Sequence, residues 1–354
     1  MTTSIERPAS HFSTEDAELT QRLGIVDSHN DFATAIAARR ADGDYCSLAE
    51  YWLPRFRAGG LAVVVAPVWI SSLFVPEGAL RRAVQVVDGL LSEIEAAPDE
   101  VALVKSYAEI ERARSEGKVG ILLAFEGAEP LGHDLAALRL FHAVGLRMLS
   151  LTWSRRNAFG DGAWENESRG GLTRLGKEAI HQMDRLGIIV DVSHASDETA
   201  RDVLAEASGP VVASHSNARA LRNHPRNLPD ELLKGIAASG GVIGLTAVPS
   251  FIDEGPATIG RWADHLTHVI ELVGIEHVGI GADFIQQVLD LGASLEIEGW
   301  GPDWGKRPPR FDGMLSPEDL PGLTAELRRR GFSEQDLARI YHGNYFRVFE
   351  RVLA

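Results

Sequence analysis

The chain carries a single cysteine, Cys46, in 354 residues. One thiol cannot build an internal disulfide framework, and such sparing use fits a reducing compartment. Basic residues are also in deficit: 35 Lys and Arg against 50 Asp and Glu leave a formal charge of −15. That balance repels phosphate backbones and anionic lipid, so neither nucleic acid nor membrane is expected as a partner. No run approaches the roughly 18 to 20 apolar residues needed to cross a bilayer. The N-terminal stretch is polar and mixed in charge, without the basic segment and apolar core of a secretory signal. A cytoplasmic protein is the resulting expectation. Two motifs are missing as well. No Gly-x-Gly-x-x-Gly follows the first strand-like run, which removes the best sign of dinucleotide binding. No Gly-x-Ser-x-Gly offers a nucleophilic serine.

What is present is a repeated alternation. Apolar, β-branched runs cover 25–31, 61–69, 120–126, 146–152, 187–194, 210–215, 241–247 and 277–283. Segments of 3.6-residue periodicity lie between most of them, at 80–97, 134–144, 172–186, 196–207, 229–238 and 259–273. Thr173 is placed to cap one helix and Pro229 to open another at its first position. Eight strands alternating with helices predict an α/β fold, a (β/α)8 TIM-like barrel. An open doubly wound sheet is the alternative. Residues 1–22 read as an N-terminal arm with a short helix. Residues 23–354 read as one barrel domain, with 316–353 forming a C-terminal helical extension. Two polar stretches, 154–171 and 284–315, follow strands and would lie over the C-terminal mouth as lids or specificity loops.

Four of the strand-like runs stop at metal-ligand residues: His29 with Asp31, Glu126, His194 and His215. In a strand, residues two apart share a face, so His29 and Asp31 would form a two-ligand chelate at its end. By itself that pair also suits a hydrogen-bonded turn. Glu126 closes Ile121-Leu122-Leu123-Ala124-Phe125, where it is either an exposed loop glutamate or a buried carboxylate whose cost a metal or another buried cation must offset. His194 and His215 end two successive runs, and neighbouring parallel strands lie about 4.8 Å apart, so both could reach one metal. Asp283 closes Val278-Gly279-Ile280-Gly281-Ala282. Gly279 and Gly281 share its face and would leave open space beneath it, a setting for proton transfer, although the same residue also suits the N-cap of a following helix. Five ligands exceed one tetrahedral catalytic zinc and suit two metals bridged by a carboxylate. The chemistry implied is hydrolysis of an amide or related acyl bond.

These segments, together with Arg226-Asn227-Leu228-Pro229-Asp230 and Gly343-Asn344-Tyr345-Phe346, resemble the renal or membrane dipeptidases, peptidase family M19, across nearly the whole chain. The resemblance implies a metallo-dependent hydrolase barrel with two zinc ions per chain. His29 and Asp31 would hold one zinc, His194 and His215 the other, and Glu126 would bridge them. Arg226 would take the substrate's C-terminal carboxylate through its bidentate fork. Asp283 would shuttle a proton near the substrate amine, with Glu126 the other catalytic residue. The family tolerates a D-residue at the C-terminal position. Its members often dimerise, so a homodimer stays open, although no partner surface is legible in the sequence.

One position departs from the family pattern. Well-studied members carry a substrate-contacting histidine after Leu-Thr, where this chain has Trp153 after Leu151-Thr152. Losing such a donor would cost roughly 3 kcal/mol of transition-state stabilisation unless it is replaced. Arg155, Arg156 and Asn157 are the nearby candidates, and Trp153 and Asn157 are taken as substrate-binding. The expectation is thus a zinc dipeptidase in which a metal-bridged hydroxide attacks the peptide bond of a dipeptide. The alternative is a binuclear metal amidohydrolase acting on a non-dipeptide amide or peptide-derived metabolite. A non-catalytic ligand-binding barrel is the third reading.

Overall fold

The computed structural model describes residues 12–285, 311 and 313–354. Most of the 284–315 stretch therefore lies outside the described residues. Among the described residues, nine strands run in one parallel sheet: β1 Ile25–Asp27, β2 Leu61–Trp69, β3 Val101–Leu103, β4 Val119–Glu126, β5 Leu146–Ser150, β6 Ile189–Asp191, β7 Val211–Val212, β8 Ile243–Leu245 and β9 Val278–Ile280. Eight of them follow one another as β7-β6-β5-β4-β2-β1-β9-β8, and a bridge between Ala213 and Ile243 brings the two ends together into a nearly closed barrel. This is the TIM-like architecture the alternation predicts. The extra strand, β3, pairs only with the beginning of β4. Its three residues are too few for a periodic signal, which is why sequence reasoning misses it.

The strand sequences are apolar on both faces because both faces are covered. Val63 and Val65 of β2, with Leu122 and Ala124 of β4, turn into the barrel interior, where Met148, Ile189 and Val212 join them. Their alternating neighbours Val64, Ala66, Ile121 and Leu123 face the outer helices. The interior is closed from below by the C-terminal helix Asn344–Val352, whose Tyr345, Val348 and Phe349 belong to the same interior cluster. Outside lie amphipathic helices such as Ala79–Ala96, Arg174–Leu186 and Ile259–Val273. Thr173 caps Arg174–Leu186 by accepting the backbone N–H of Gly176, as expected. Pro229 is the N-cap of Asp230–Ala238 rather than its first residue, because its backbone is still extended there. The helix Thr14–Leu23 packs on the helix Leu320–Arg329, with Thr20 and Thr324 hydroxyls 2.6 Å apart and Arg328 paired to Asp16 at 2.6 Å. Among the described residues, no helix is long and apolar enough to cross a membrane.

Several strands are shorter than their apolar runs suggest, and the shortening is concentrated at the C-terminal rim. β1 ends at Asp27, so His29 and Asp31 do not sit two apart in a strand. The Asp27 carboxylate accepts from the backbone N–H groups of His29 (3.4 Å) and Ala282 (3.0 Å) and from the Asn30 amide (3.1 Å). These bonds turn the chain, and Asp31 becomes the residue preceding the helix Phe32–Ala41. β6 stops at Asp191 in the same way. Its carboxylate accepts from the N–H groups of Ser193 and Ser214, both at 2.9 Å, in place of a continued ladder.

Candidate metal centre and active site

Strand parity decides what the rim presents. Glu126 continues the inward series Leu122, Ala124, and Trp69 continues the inward series of β2. The two are register partners on adjacent strands. The turn after β1 carries His29 inward, and β6 and β7 deliver His194 and His215. Three imidazole Nε2 atoms thereby surround one carboxylate oxygen. Glu126 Oε1 lies 2.7 Å from His194, 3.4 Å from His215 and 3.6 Å from His29. The rings of His29 and His215 face each other at 3.6 Å between centroids, and those of His194 and His215 at 4.8 Å. Among the described residues, two constellations have ligand atoms within 4.8 Å of one another: His29, Glu126 and His215, and His29, Asp31 and Asp283. His194 joins the first through Glu126. His29 therefore stands where the two constellations meet, rather than belonging only with Asp31.

The residues fit a cation site. Nε2 of His29 and of His215, and Oδ1 of Asp31, are buried without a hydrogen-bond partner, an expensive state that metal ligation relieves. A carboxylate oxygen and a ring nitrogen 2.7 Å apart, as in Glu126 and His194, need a proton or a cation between their lone pairs. Neutral imidazoles and carboxylates are the ligand types zinc takes. Burial, with Arg226 and His29 nearby, holds the pKa values of His194 and His215 well below the ordinary histidine value, so both present lone pairs. Burial alone would lower His29 too, but Glu126, Asp31 and Asp283 outweigh it and push its pKa up to about 10. The same crowding works on the acids. Burial raises Glu126 well above the usual carboxylate range, with Asp31 and Asp283 adding to it. Burial also lifts Asp283 to about 7, with Asp31 contributing. A pocket where anions repel one another this strongly favours positive charge.

Serine hydroxyls orient two of the histidines. Ser154 Oγ lies 2.7 Å from His194 Nδ1, and Ser214 Oγ lies 2.8 Å from His215 Nδ1. Ser214 also donates to Asp191. With its proton committed there, it accepts from His215 Nδ1–H, leaving the Nε2 lone pair aimed at Glu126. Partners of this kind fix the tautomer and angle of a metal-ligating imidazole. Sequence reasoning missed Ser154, Ser214, Asp27 and Asp191. The signal was the repeated Ile-Val-Asp at 25–27 and 189–191, each followed within three residues by Ser-His or Val-Ser-His.

The other expected residues fall around this core. Arg226 is only 4% exposed. Its Nη2 donates to the carbonyl of His215 at 3.3 Å, and its Nε has no partner. Burial lowers its pKa to about 10, against the pull of Glu126, Asp283 and Asp191. His224 accepts the backbone N–H of Arg226 at 3.1 Å and so shapes its loop. Asp283 adopts a left-handed φ of 50°, and its N–H donates to the His29 carbonyl at 3.1 Å. The space expected beneath it is filled. A Cβ on Gly281 would lie 1.7 Å from the Ser214 carbonyl oxygen, and one on Gly279 would lie 2.5 Å from the Tyr345 ring. These glycines let the barrel interior close, so Asp283 stands over packed protein.

Trp153 stacks on His194 with ring centroids 5.6 Å apart at 26°. The Asn157 carboxamide is engaged within its own loop, donating to the Leu151 carbonyl and accepting from the Phe159 N–H, both at 2.8 Å. Arg156 is turned to Asp161 and Ser168 in the same loop. Arg155 donates to Glu129 at 3.0 Å and to the Ile70 carbonyl at 2.6 Å.

Comparison with known proteins places this geometry. Residues 14–298 match the family model described as membrane dipeptidase, peptidase family M19. The chain is 31% identical to dipeptidase aclJ of Aspergillus oryzae, over 97% of this chain and 81% of that protein. A crystal structure of a dipeptidase described as a family M19 metallopeptidase superposes with a TM-score of 0.80 at 29% identity, covering 93% of this chain and 98% of that one. A metallopeptidase from Rhodobacter sphaeroides, crystallised with a phosphinate mimic of L-Ala-D-Ala, gives 0.80 at 28% identity, covering 93% of this chain and 99% of that one.

Proposed function

The chain belongs to the membrane dipeptidase family, peptidase family M19, a family of metallopeptidases, and from that premise we propose that it hydrolyses dipeptides with two zinc ions held around Glu126. The observation that carries the reading is the convergence of three imidazole Nε2 atoms within 3.6 Å of one Glu126 oxygen. His194 and His215 would hold one zinc, His29 and Asp31 the other, with Glu126 shared between them. When bound, such a pair acidifies water and polarises an acyl carbonyl.

The chain's own residues supply the rest. The Arg226 guanidinium, buried with Nε unpartnered, holds a substrate carboxylate and fixes the dipeptide's direction. Asp283 offers a carboxylate oxygen within 4.8 Å of the His29 and Asp31 ligand atoms. It takes the proton that the attacking water gives up and delivers it to the departing nitrogen. Trp153 covers the face of His194 and excludes water from that side. The Rhodobacter relative's ligand mimics a dipeptide ending in a D-residue, which supports including that configuration among the substrates.

The test is a panel of L-L and L-D dipeptides assayed with the zinc-loaded protein and after chelation. Turnover that disappears on chelation and returns with zinc is expected. A fully zinc-loaded protein that cleaves no dipeptide would overturn the dipeptidase reading and favour another amide.

A further inference from the structure

Three indoles gather on one side of the histidine–glutamate cluster, and the proposed reaction does not need three. Trp69 ends β2 and Trp153 follows β5, so they flank Glu126 from both neighbouring strands. Their rings lie 5.5 Å apart. Trp164, from the short helical turn Ala163–Ser168, meets Trp153 edge-on at 4.7 Å and is 42% exposed. An aromatic band therefore runs outward from Glu126 to solvent.

The band is held rigid. A Cβ on Gly162 would lie 2.1 Å from the Trp153 carbonyl oxygen, so the turn carrying Trp164 abuts the Trp153 backbone. The N–H of Trp164 donates to the Ser154 carbonyl at 2.8 Å. The Arg155 guanidinium lies 5.2 Å from the Trp153 ring centre and is fixed by Glu129 and the Ile70 carbonyl. A wall ordered before substrate arrives costs little entropy on binding.

Its position around the barrel assigns its target. Arg226 follows β7 and Asp283 follows β9, on the arc opposite the β2-β4-β5 arc that carries the tryptophans. A dipeptide whose carboxylate meets Arg226, with its scissile carbonyl at Glu126, directs its amino-terminal residue toward the indoles. We propose that Trp69, Trp153 and Trp164 form a specificity wall for the amino-terminal side chain, selecting aromatic or large neutral apolar groups. Arg155, paired with Glu129, already occupies the cation position over the Trp153 ring, so a lysine or arginine side chain finds no free face there to offset its lost hydration. This inference rests on the dipeptidase reading for its orientation.

The experiment measures kcat/KM of the zinc-loaded enzyme on L-Phe-L-Ala, L-Ala-L-Ala, L-Lys-L-Ala and L-Ala-L-Phe. The ratio of Phe-Ala to Ala-Ala is expected to be about tenfold or more, from aromatic contact and apolar burial together. Lys-Ala should fall below Ala-Ala. Trp164→Ala should collapse the Phe-Ala to Ala-Ala ratio by about tenfold, whereas Trp164→Phe should keep most of it. An unchanged ratio in Trp164→Ala, or a preference expressed only for Ala-Phe, overturns the assignment. If no dipeptide is turned over, indole fluorescence quenching separates the two claims. Tighter binding of Phe-Ala than Ala-Ala upholds the wall while the dipeptidase reading fails. Equal or absent binding of both overturns the wall as well.

Discussion

Replacing Glu126 with glutamine is expected to lower kcat/KM on dipeptides by on the order of 10³-fold or more, because Lewis-acid and electrostatic stabilisation are lost together. The substitution is nearly isosteric and sits at the end of β4, where seven register pairs with β2 already hold the strand. The barrel should therefore stay folded, with an unchanged circular dichroism spectrum. What changes is charge. Glu126 Oε1 is the atom that His29, His194 and His215 all face. A carboxamide removes the negative charge there and can turn a donor toward lone pairs that need a cation. Bound zinc should fall from about two to one or fewer per chain. Full zinc loading with activity within tenfold of the parent would contradict the bridging role.

Replacing Arg226 with methionine is expected to cost roughly 10²- to 10³-fold in kcat/KM, the range for losing one partner of a buried charged contact. The penalty should be specific to substrate charge. A dipeptide with a free carboxylate loses the contact, but its C-terminal amide never had one. Parallel kinetics on L-Ala-L-Ala and its amide check this. The parent should favour the free acid strongly, and the variant should treat the two nearly alike. Equal losses on both would mean that Arg226 serves to balance Glu126, Asp283 and Asp191 electrostatically rather than to hold substrate.

The parts of this site that could be read from the sequence are those marked by strong local contrast. A β-branched run ending in a carboxylate or an imidazole is conspicuous, and β4 with Glu126 is read to within a residue. Eight of the nine strands are visible for the same reason, while three-residue β3 gives no periodic signal. The rim is less legible. His29 and Asp31 come together because Asp27 bends the chain with side-chain hydrogen bonds, not because a strand alternates. The right neighbours thus follow from the wrong geometry. Gly279 and Gly281 suggest an opening, and only the tertiary placement of Tyr345 and Ser214 shows that they permit contact instead. The aromatic wall joins residues from β2, from the end of β5 and from a loop, positions that no local pattern links. Trp153 is visible as an anomaly, but its role depends on Trp69 and Trp164 arriving from elsewhere.

Glu126 is proposed to join two cation sites at one rim of the barrel. The most direct measurement is anomalous diffraction at the zinc edge from zinc-loaded crystals. Two peaks are expected beside the Glu126 carboxylate, one against His194 and His215 and one against His29 and Asp31. A single peak, or peaks away from Glu126, would contradict it.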